Sequence, residues 1–193
     1  MKQHETAEGE TRLGAEQFKP LVIIINGQGG VGKDTLVNEY LKHHRGISIS
    51  AIDRVKEAAA VLGWDGRKSD ADRKFLSDLK ALSVKYNDYP LKDIMYKFYR
   101  FIRDVKGDVL FIYIREPEEI EKCKKNIEYT EMASVKTMLV ITDGEQHTYG
   151  NKSDDNVQDY SYDIKFLNHS RTEYDQNRSR LAFVDLIERM IYQ

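Results

Sequence analysis

The sequence predicts a three-layer α/β fold in which a five-stranded parallel sheet is flanked by helices on both faces. Three observations predict it. Short apolar runs alternate with longer stretches whose apolar residues recur at helical spacing, the pattern of a parallel sheet wound by crossover helices. The first run, Leu21 to Ile25 (LVIII), has no polar face, as a strand covered on both sides requires. A glycine-rich turn then leads from that run directly into a helical stretch.

Residues 1–18 (MKQHETAEGETRLGAEQF) are polar and aperiodic. They are expected to be a disordered tail or a cloning remnant, with 19–193 as one domain. After LVIII and its turn, DTLVNEYLKHH continues as a helix, and ISISAI (Ile47 to Ile52) reads as a second strand. A helical insert over about 63–106 follows. In it Phe75, Leu76, Leu79, Leu82 and Tyr86 sit at helical spacing, as do Ile94, Met95, Phe98, Phe101, Ile102 and Val105. Gly63, Gly66 and Pro90 punctuate it. VLFIYI (Val109 to Ile114) is the third strand, and EPEEIEKCKKN opens a helix with Pro117 in its first turn. TMLVIT (Thr137 to Thr142) is the fourth strand, followed by a polar, lid-like loop over about 143–160. YDIKFL is the fifth strand, and Leu181, Val184, Ile187, Met190 and Ile191 mark the closing helix.

A length of 193 residues suits one domain. The 30 lysines and arginines nearly balance 32 acids, for a formal charge of −2, which leaves no electrostatic footprint for a nucleic acid polymer or an anionic membrane. No apolar run approaches the roughly 20 residues that span a bilayer, and the first twenty residues have no signal-peptide core. The single cysteine, Cys123, makes neither an internal disulfide nor a cysteine metal site. A cytoplasmic, reducing location is expected.

The stretch Gly27-Gln28-Gly29-Gly30-Val31-Gly32-Lys33-Asp34-Thr35 fits the P-loop pattern in the context that pattern requires, after a predicted strand and before a predicted helix. Glycines accept torsions that a β-carbon forbids, so successive amides turn inward around phosphate oxygens. The helix N-terminus adds partial positive charge, and Lys33 is expected to reach the β- and γ-phosphates of a nucleotide. The usual hydroxyl after the lysine is replaced by Asp34, with Thr35 one place later. An acid beside phosphate needs Mg²⁺ or a basic substrate group to offset it. Thr35 or Asp34 is therefore expected to contact magnesium, directly or through water. A turn that only joins strand to helix is disfavoured by the strand before it, the lysine and the helix after it.

The GKDT ending resembles the phosphate loops of phage-type deoxynucleoside monophosphate kinases and animal-type phosphomevalonate kinases, within the nucleoside monophosphate kinase-like superfamily. Four further segments resemble theirs in the same order. Asp53 closes the second predicted strand with Lys56 after it, and DRKFLSDLK is similar to their arginine-bearing helix. FIYIREPEEI resembles the strand-three end that supplies another arginine, and NKSDDNVQDYSYDIKFLN resembles their final strand. Together these span residues 21 to 191, and the phosphate loop is the most specific of them. The resemblance implies a P-loop NTPase fold with a helical acceptor-binding insert, ATP and Mg²⁺ as cofactors, and phosphoryl transfer to a small phosphorylated acceptor. Monomer and homodimer both remain open.

Phosphoryl transfer must bring two polyanions together and stabilise charge on the transferring group. Arginine suits this because its planar fork binds phosphate bidentately and stays charged. The expected catalytic set is Lys33, Asp53, Arg73 and Arg115. Arg115 follows a buried strand at the edge where open α/β sheets bind ligands, and Arg73 lies on the insert. Asp53 is expected to order Mg²⁺ or to accept the acceptor's proton. Asn168 and Arg171, in the loop after the last strand, are expected beside the adenine, as the resemblance implies. Each has a plainer reading: Arg73 as a solvated helix face, Arg115 as a partner of Glu116, Glu118 or Glu119, and Asp53 as a helix N-cap. Arg54 and Lys56 divide evenly between the two. Tyr86, Tyr89, Tyr96, Phe98, Tyr99 and Phe101 are expected mainly in the core, with one ring available to a base.

Related kinases place lid arginines after the fourth strand. Here Asp143 stands there, with only His147 and Lys152 nearby. His147 has no second histidine or cysteine at ligand spacing. Three functions fit: a kinase of (deoxy)nucleoside monophosphates, a kinase of a phosphomevalonate- or dephospho-coenzyme A-like metabolite, and a nucleotide-binding sensor without turnover. A GTPase is disfavoured, since no D-x-x-G motif follows a predicted strand.

Overall fold

Five consecutive apolar residues and Asn26 form β1 (Leu21–Asn26), and all six side chains are buried. Such a strand is stable only at the centre of a sheet covered on both faces. It pairs in parallel with β3 (Val109–Tyr113) on one side and β4 (Ser134–Thr142) on the other. β2 (Gly46–Ser50) extends the sheet beyond β3 and β5 (Ile164–Asn168) beyond β4, giving the all-parallel order β2-β3-β1-β4-β5. The computed structural model describes residues 19–67, 69–143 and 156–192. The expected tail at 1–18 and most of the expected lid, residues 144–155 with His147 and Lys152, lie outside the described residues.

Alternation along the strands builds two cores. Val22, Ile24, Leu110 and Ile112 face α4 (Tyr89–Arg100) and α5 (Pro117–Tyr129), which supply Ile94, Phe98, Ile120, Cys123 and Ile127. Leu21, Ile23, Ile25, Phe111 and Val140 face α1 (Lys33–Leu41) and α6 (Glu173–Tyr192), which supply Leu36, Val37, Tyr40, Phe183 and Ile187. The expected insert is α3 (Asp70–Asn87) and α4, the latter ending in one π-helical turn, Phe101–Val105. A smaller cluster of Val55, Ala59 and Leu76 joins α3 to α2 (Asp53–Val61). Ser69 and Asp72 form a capping box that fixes where α3 begins. Among the described residues, no helix is long and apolar enough to cross a membrane.

The element types match the sequence expectation, while several ends do not. β2 stops at Ser50 instead of Ile52, because the Asp53 carboxylate accepts the Ser50 N–H at 2.9 Å and turns the chain into α2. Asp53 is therefore the first residue of a helix, three residues past the strand, and the residue before it, Ile52, occupies the N-cap position. β4 begins at Ser134 instead of Thr137, since the polar Ser134–Lys136 segment still pairs with Leu21–Ile23. β5 begins at Ile164 and leaves Tyr162 outside it. The aromatic set is corrected most. Phe98 and Phe101 are fully buried, but Tyr86, Tyr89, Tyr96 and Tyr99 are exposed, as is Leu82. Helical spacing marks a stripe on a helix and says nothing of whether another element covers it.

Phe98 is wholly buried between α4 and the sheet. Phe98→Ala should lower the unfolding free energy by about 3–5 kcal/mol, read as a reduced urea midpoint at unchanged slope.

Candidate functional site

All five strands run in parallel, so the turns leaving β1, β2, β3, β4 and β5 share one edge, where ligands of open α/β sheets bind. The segment from Gly27 to Gly32 occupies its centre. Gly27 has φ +147° and a β-carbon there would lie 2.4 Å from the Val140 carbonyl oxygen; Gly32 has φ +86° and would meet Asn168 Nδ2 at 2.5 Å. Neither position tolerates a side chain. The Lys33 ammonium folds back across the loop and donates to the carbonyls of Gly27 and Gln28 at 2.6 and 2.7 Å. From β5, the buried Asn168 donates to the Val31 carbonyl at 2.8 Å. Asn168 thus braces the loop from behind, and its amide donor faces the loop backbone.

Asn26 sets where the loop starts. Its side-chain oxygen accepts the Gly27 N–H at 2.7 Å, and its amide donates to the Arg115 carbonyl at 2.8 Å and the Tyr162 hydroxyl at 2.6 Å. Arg115 is consequently held on the carboxyl edge, exposed, in the turn from β3 to α5. Tyr113, the last residue of β3, is half-buried, and burial foremost, together with the nearby Asp34 charge, pushes its phenol ionisation far up. Asp34 and Thr35 both lie exposed in the first turn of α1.

Asp53 is engaged by its surroundings. Besides the Ser50 N–H it accepts Lys97 Nζ at 3.1 Å, and Lys97 also meets the buried Asp93 at 2.8 Å. Burial alone would lower the Lys97 pKa, but hydrogen bonds to Asp93 and Asp53 outweigh it and hold the group above the usual lysine value. Arg54 also pairs with Asp93, at 3.1 Å, and with Glu57 at 2.6 Å, which makes it part of this network. Lys56 is exposed.

Arg73 lies in the first turns of α3, half-buried. Seven residues on, and so on the same helix face about 10 Å along the axis, the buried Lys80 pairs with Glu116 and, at 2.7 Å, with Glu119. Glu116 directly follows Arg115 in sequence. The elements that carry the two arginines are therefore pinned to each other. The pair of glutamates shares one lysine: Lys80 holds Glu116 below the usual carboxylate range despite its burial, while burial, aided by the Glu116 charge, raises Glu119 to about 7. Beside this cluster, Ala51, Pro90, Leu91, Ile94 and Ile114 line a shallow cleft between the ends of β2 and β3.

On the other side of the loop, Asp143 accepts the Ser170 N–H at 3.1 Å and meets His169 Nδ1 at 2.9 Å, and its backbone carbonyl accepts from Arg171 at 3.4 Å. The His169 contact foremost keeps its pKa below the ordinary aspartate value. Thr142, at the end of β4, meets the Ser170 hydroxyl at 2.9 Å. The acid that stands where lid arginines were expected thus ties down the loop between β5 and α6. Sequence reasoning missed Asn26 and Lys80. A polar residue closing an apolar run just before a glycine was the available signal for Asn26; Lys80 carried none, since its partners are distant in sequence.

Among the described residues no group of three histidines, cysteines or acids could hold a metal by itself. Neither a protein-family model nor a curated protein matches the sequence. Solved structures share its fold. A candidate kinase of Chloroflexus aurantiacus j-10-fl superposes with a TM-score of 0.59 at 13% identity, over 92% of this chain and 98% of that one. The tunicamycin resistance protein of Deinococcus radiodurans gives 0.52 at 8% identity, over 88% and 96%. At such identities the likeness establishes the three-layer α/β fold.

Glu119 keeps its proton in the folded state to higher pH than in the unfolded chain. Above its unfolded value of 4.5 the unfolded state binds fewer protons, so stability falls as pH rises, until about 7 where the folded group also ionises. Glu119→Gln should remove this decline: urea melts at about pH 5 and about pH 8 should show the variant gaining on the wild type at the higher pH.

Proposed function

We propose that the chain is an ATP-dependent phosphotransferase, a P-loop kinase that acts on a small phosphorylated acceptor. One observation carries this reading: a loop whose Gly27 and Gly32 cannot bear side chains opens α1 with the Lys33 ammonium folded across it. Backbone amides and a helix N-terminus around a lysine form an anion cradle. Residues Gly27 to Gly32 would hold the ATP phosphates, with Lys33 opposing their charge. The oxygen-only donors Thr35 and Asp34 suit Mg²⁺, which takes one or two protein oxygens together with substrate phosphates. When bound, magnesium neutralises phosphate charge. Arg73 and Arg115 would converge on the acceptor's phosphate, each adding a charge-assisted hydrogen bond worth roughly 1.5–3 kcal/mol. Asp53 would accept the acceptor's proton once Lys97 turns toward substrate. Arg171 would lie beside the adenine, with Asn168 bracing the loop beneath it.

The resemblance in the phosphate loop favours a nucleoside or deoxynucleoside monophosphate as acceptor. A phosphomevalonate-like, aliphatic acceptor is a second reading, supported by the cleft beside Glu119, whose lining holds no aromatic ring to stack on a base. A coupled ADP-release screen with Mg²⁺ over both acceptor classes separates the two. Tight ATP binding without turnover on any acceptor would select the sensor instead.

Lys33→Ala should weaken ATP binding by about 10- to 100-fold in calorimetry, with an unchanged circular dichroism spectrum; wild-type affinity would refute its role. Arg73→Ala and Arg115→Ala should each raise the KM of the acceptor by about 10-fold or more while sparing that of ATP. If both instead weaken ATP and spare the acceptor, they belong to the donor side.

A further inference from the structure

We propose that Lys80 is a positioning residue that registers Arg73 against Arg115 for one shared anion, an inference that rests on the phosphotransferase reading above. Of the 18 residues of α3, Leu76 and Lys80 are the ones buried. Leu76 packs on Val55 and Ala59 of α2, and among the described residues α3 supplies no side chain to either core of the sheet. That apolar grip holds α3 to another helix and leaves its placement over the sheet edge open. Lys80 supplies the missing reference. Its ammonium crosses to the start of α5 and pairs with Glu116, which holds the N-cap position, and with Glu119 at 2.7 Å.

Two features mark the contact as one of registration. First, a buried ion cluster is a poor stabiliser, since desolvation offsets most of its attraction and well-packed apolar residues serve a core as well. A methionine at this position would hold α3 down without fixing its direction. An ammonium shared by two carboxylates fixes direction and distance together, and setting register is the best-attested use of buried charge. Second, the contact lies within an unbroken series that runs from the central strand to Arg73. The Asn26 amide of β1 holds the Arg115 carbonyl at 2.8 Å, Glu116 follows Arg115 in sequence, and Lys80 carries the placement into α3. Arg73 stands two turns before Lys80 on the same face. Arginine binds phosphate through a planar fork, so a shift of the helix by about 1 Å costs contacts that a flexible point charge would keep.

The test uses Lys80→Met in the full chain, which keeps an unbranched side chain and removes the ammonium. Because it leaves two carboxylates unpaired, a second variant adds Glu116→Gln and Glu119→Gln and so removes the cluster as a whole. Nitroxide labels on Ala81→Cys and Glu128→Cys, both exposed, report the distance between α3 and α5 by pulsed paramagnetic resonance, since Cys123 is buried. Calorimetry with inorganic phosphate at saturating ADP reads the acceptor side, and ADP alone reads the donor side. Expected in both variants are a broadened α3–α5 distance distribution, phosphate affinity lowered about 10-fold and unchanged ADP affinity. Lys80→Arg should restore the wild-type values. Arg73→Ala should cost less phosphate affinity on the Lys80→Met background than on the wild type, because Lys80 acts through it. An unchanged distance distribution, unchanged phosphate affinity or an equal loss of ADP binding overturns the proposal. A wild-type chain that binds no ADP, or whose phosphate affinity ignores both Arg73→Ala and Arg115→Ala, overturns the reading beneath it instead, and the distances then still decide whether Lys80 registers α3.

Discussion

A primary amide buried at the end of the central strand has to find partners, because an unsatisfied one would cost on the order of 1–3 kcal/mol. Asn26 finds them on three different segments: Gly27, the Arg115 carbonyl and the Tyr162 hydroxyl. Three segments around the candidate site are positioned by that requirement. The contact with Gly27 fixes the first torsion of the glycine loop. The contact with Arg115 fixes the turn after β3, and the contact with Tyr162 fixes the connection that enters β5. The three segments are thereby referred to one side chain with three satisfied hydrogen bonds, which tolerates little displacement of any of them.

Charge along this edge is managed by local compensation. Asp143 is held by a backbone N–H and His169, Asp53 by Lys97, and Glu116 with Glu119 by the single Lys80. The last arrangement carries excess negative charge in a buried place, and Glu119 answers by retaining its proton up to about pH 7.

The sheet and the phosphate loop were legible because their signals are local. LVIII can only be a covered strand, and a lysine after closely spaced glycines at a strand–helix junction points to a phosphate cradle. The strand ends were less legible, since a side chain two or three residues on decides them, as Asp53 does for β2. The exposed rings of Tyr86, Tyr96 and Tyr99 show that periodicity reports a face without reporting its cover. The acid at 143 reads as a missing lid cation in sequence, while in space it gathers His169, Ser170 and Arg171. Pairings such as Asn26 with Tyr162 and Lys80 with Glu116 join residues tens of positions apart, and composition has no access to them.

The position of Lys33 connects this architecture to its chemistry. The Lys33 ammonium rests on two carbonyls of its own loop, and Asn26 and Asn168 hold that loop's backbone in place. Under the proposed function a phosphate would offer the ammonium a stronger, charge-assisted partner and would leave the loop backbone where it stands, the advantage of a preorganised site. The elements that carry Arg73 and Arg115 are joined through Lys80, while the Asn26 amide ties the Arg115 carbonyl to the start of the glycine loop.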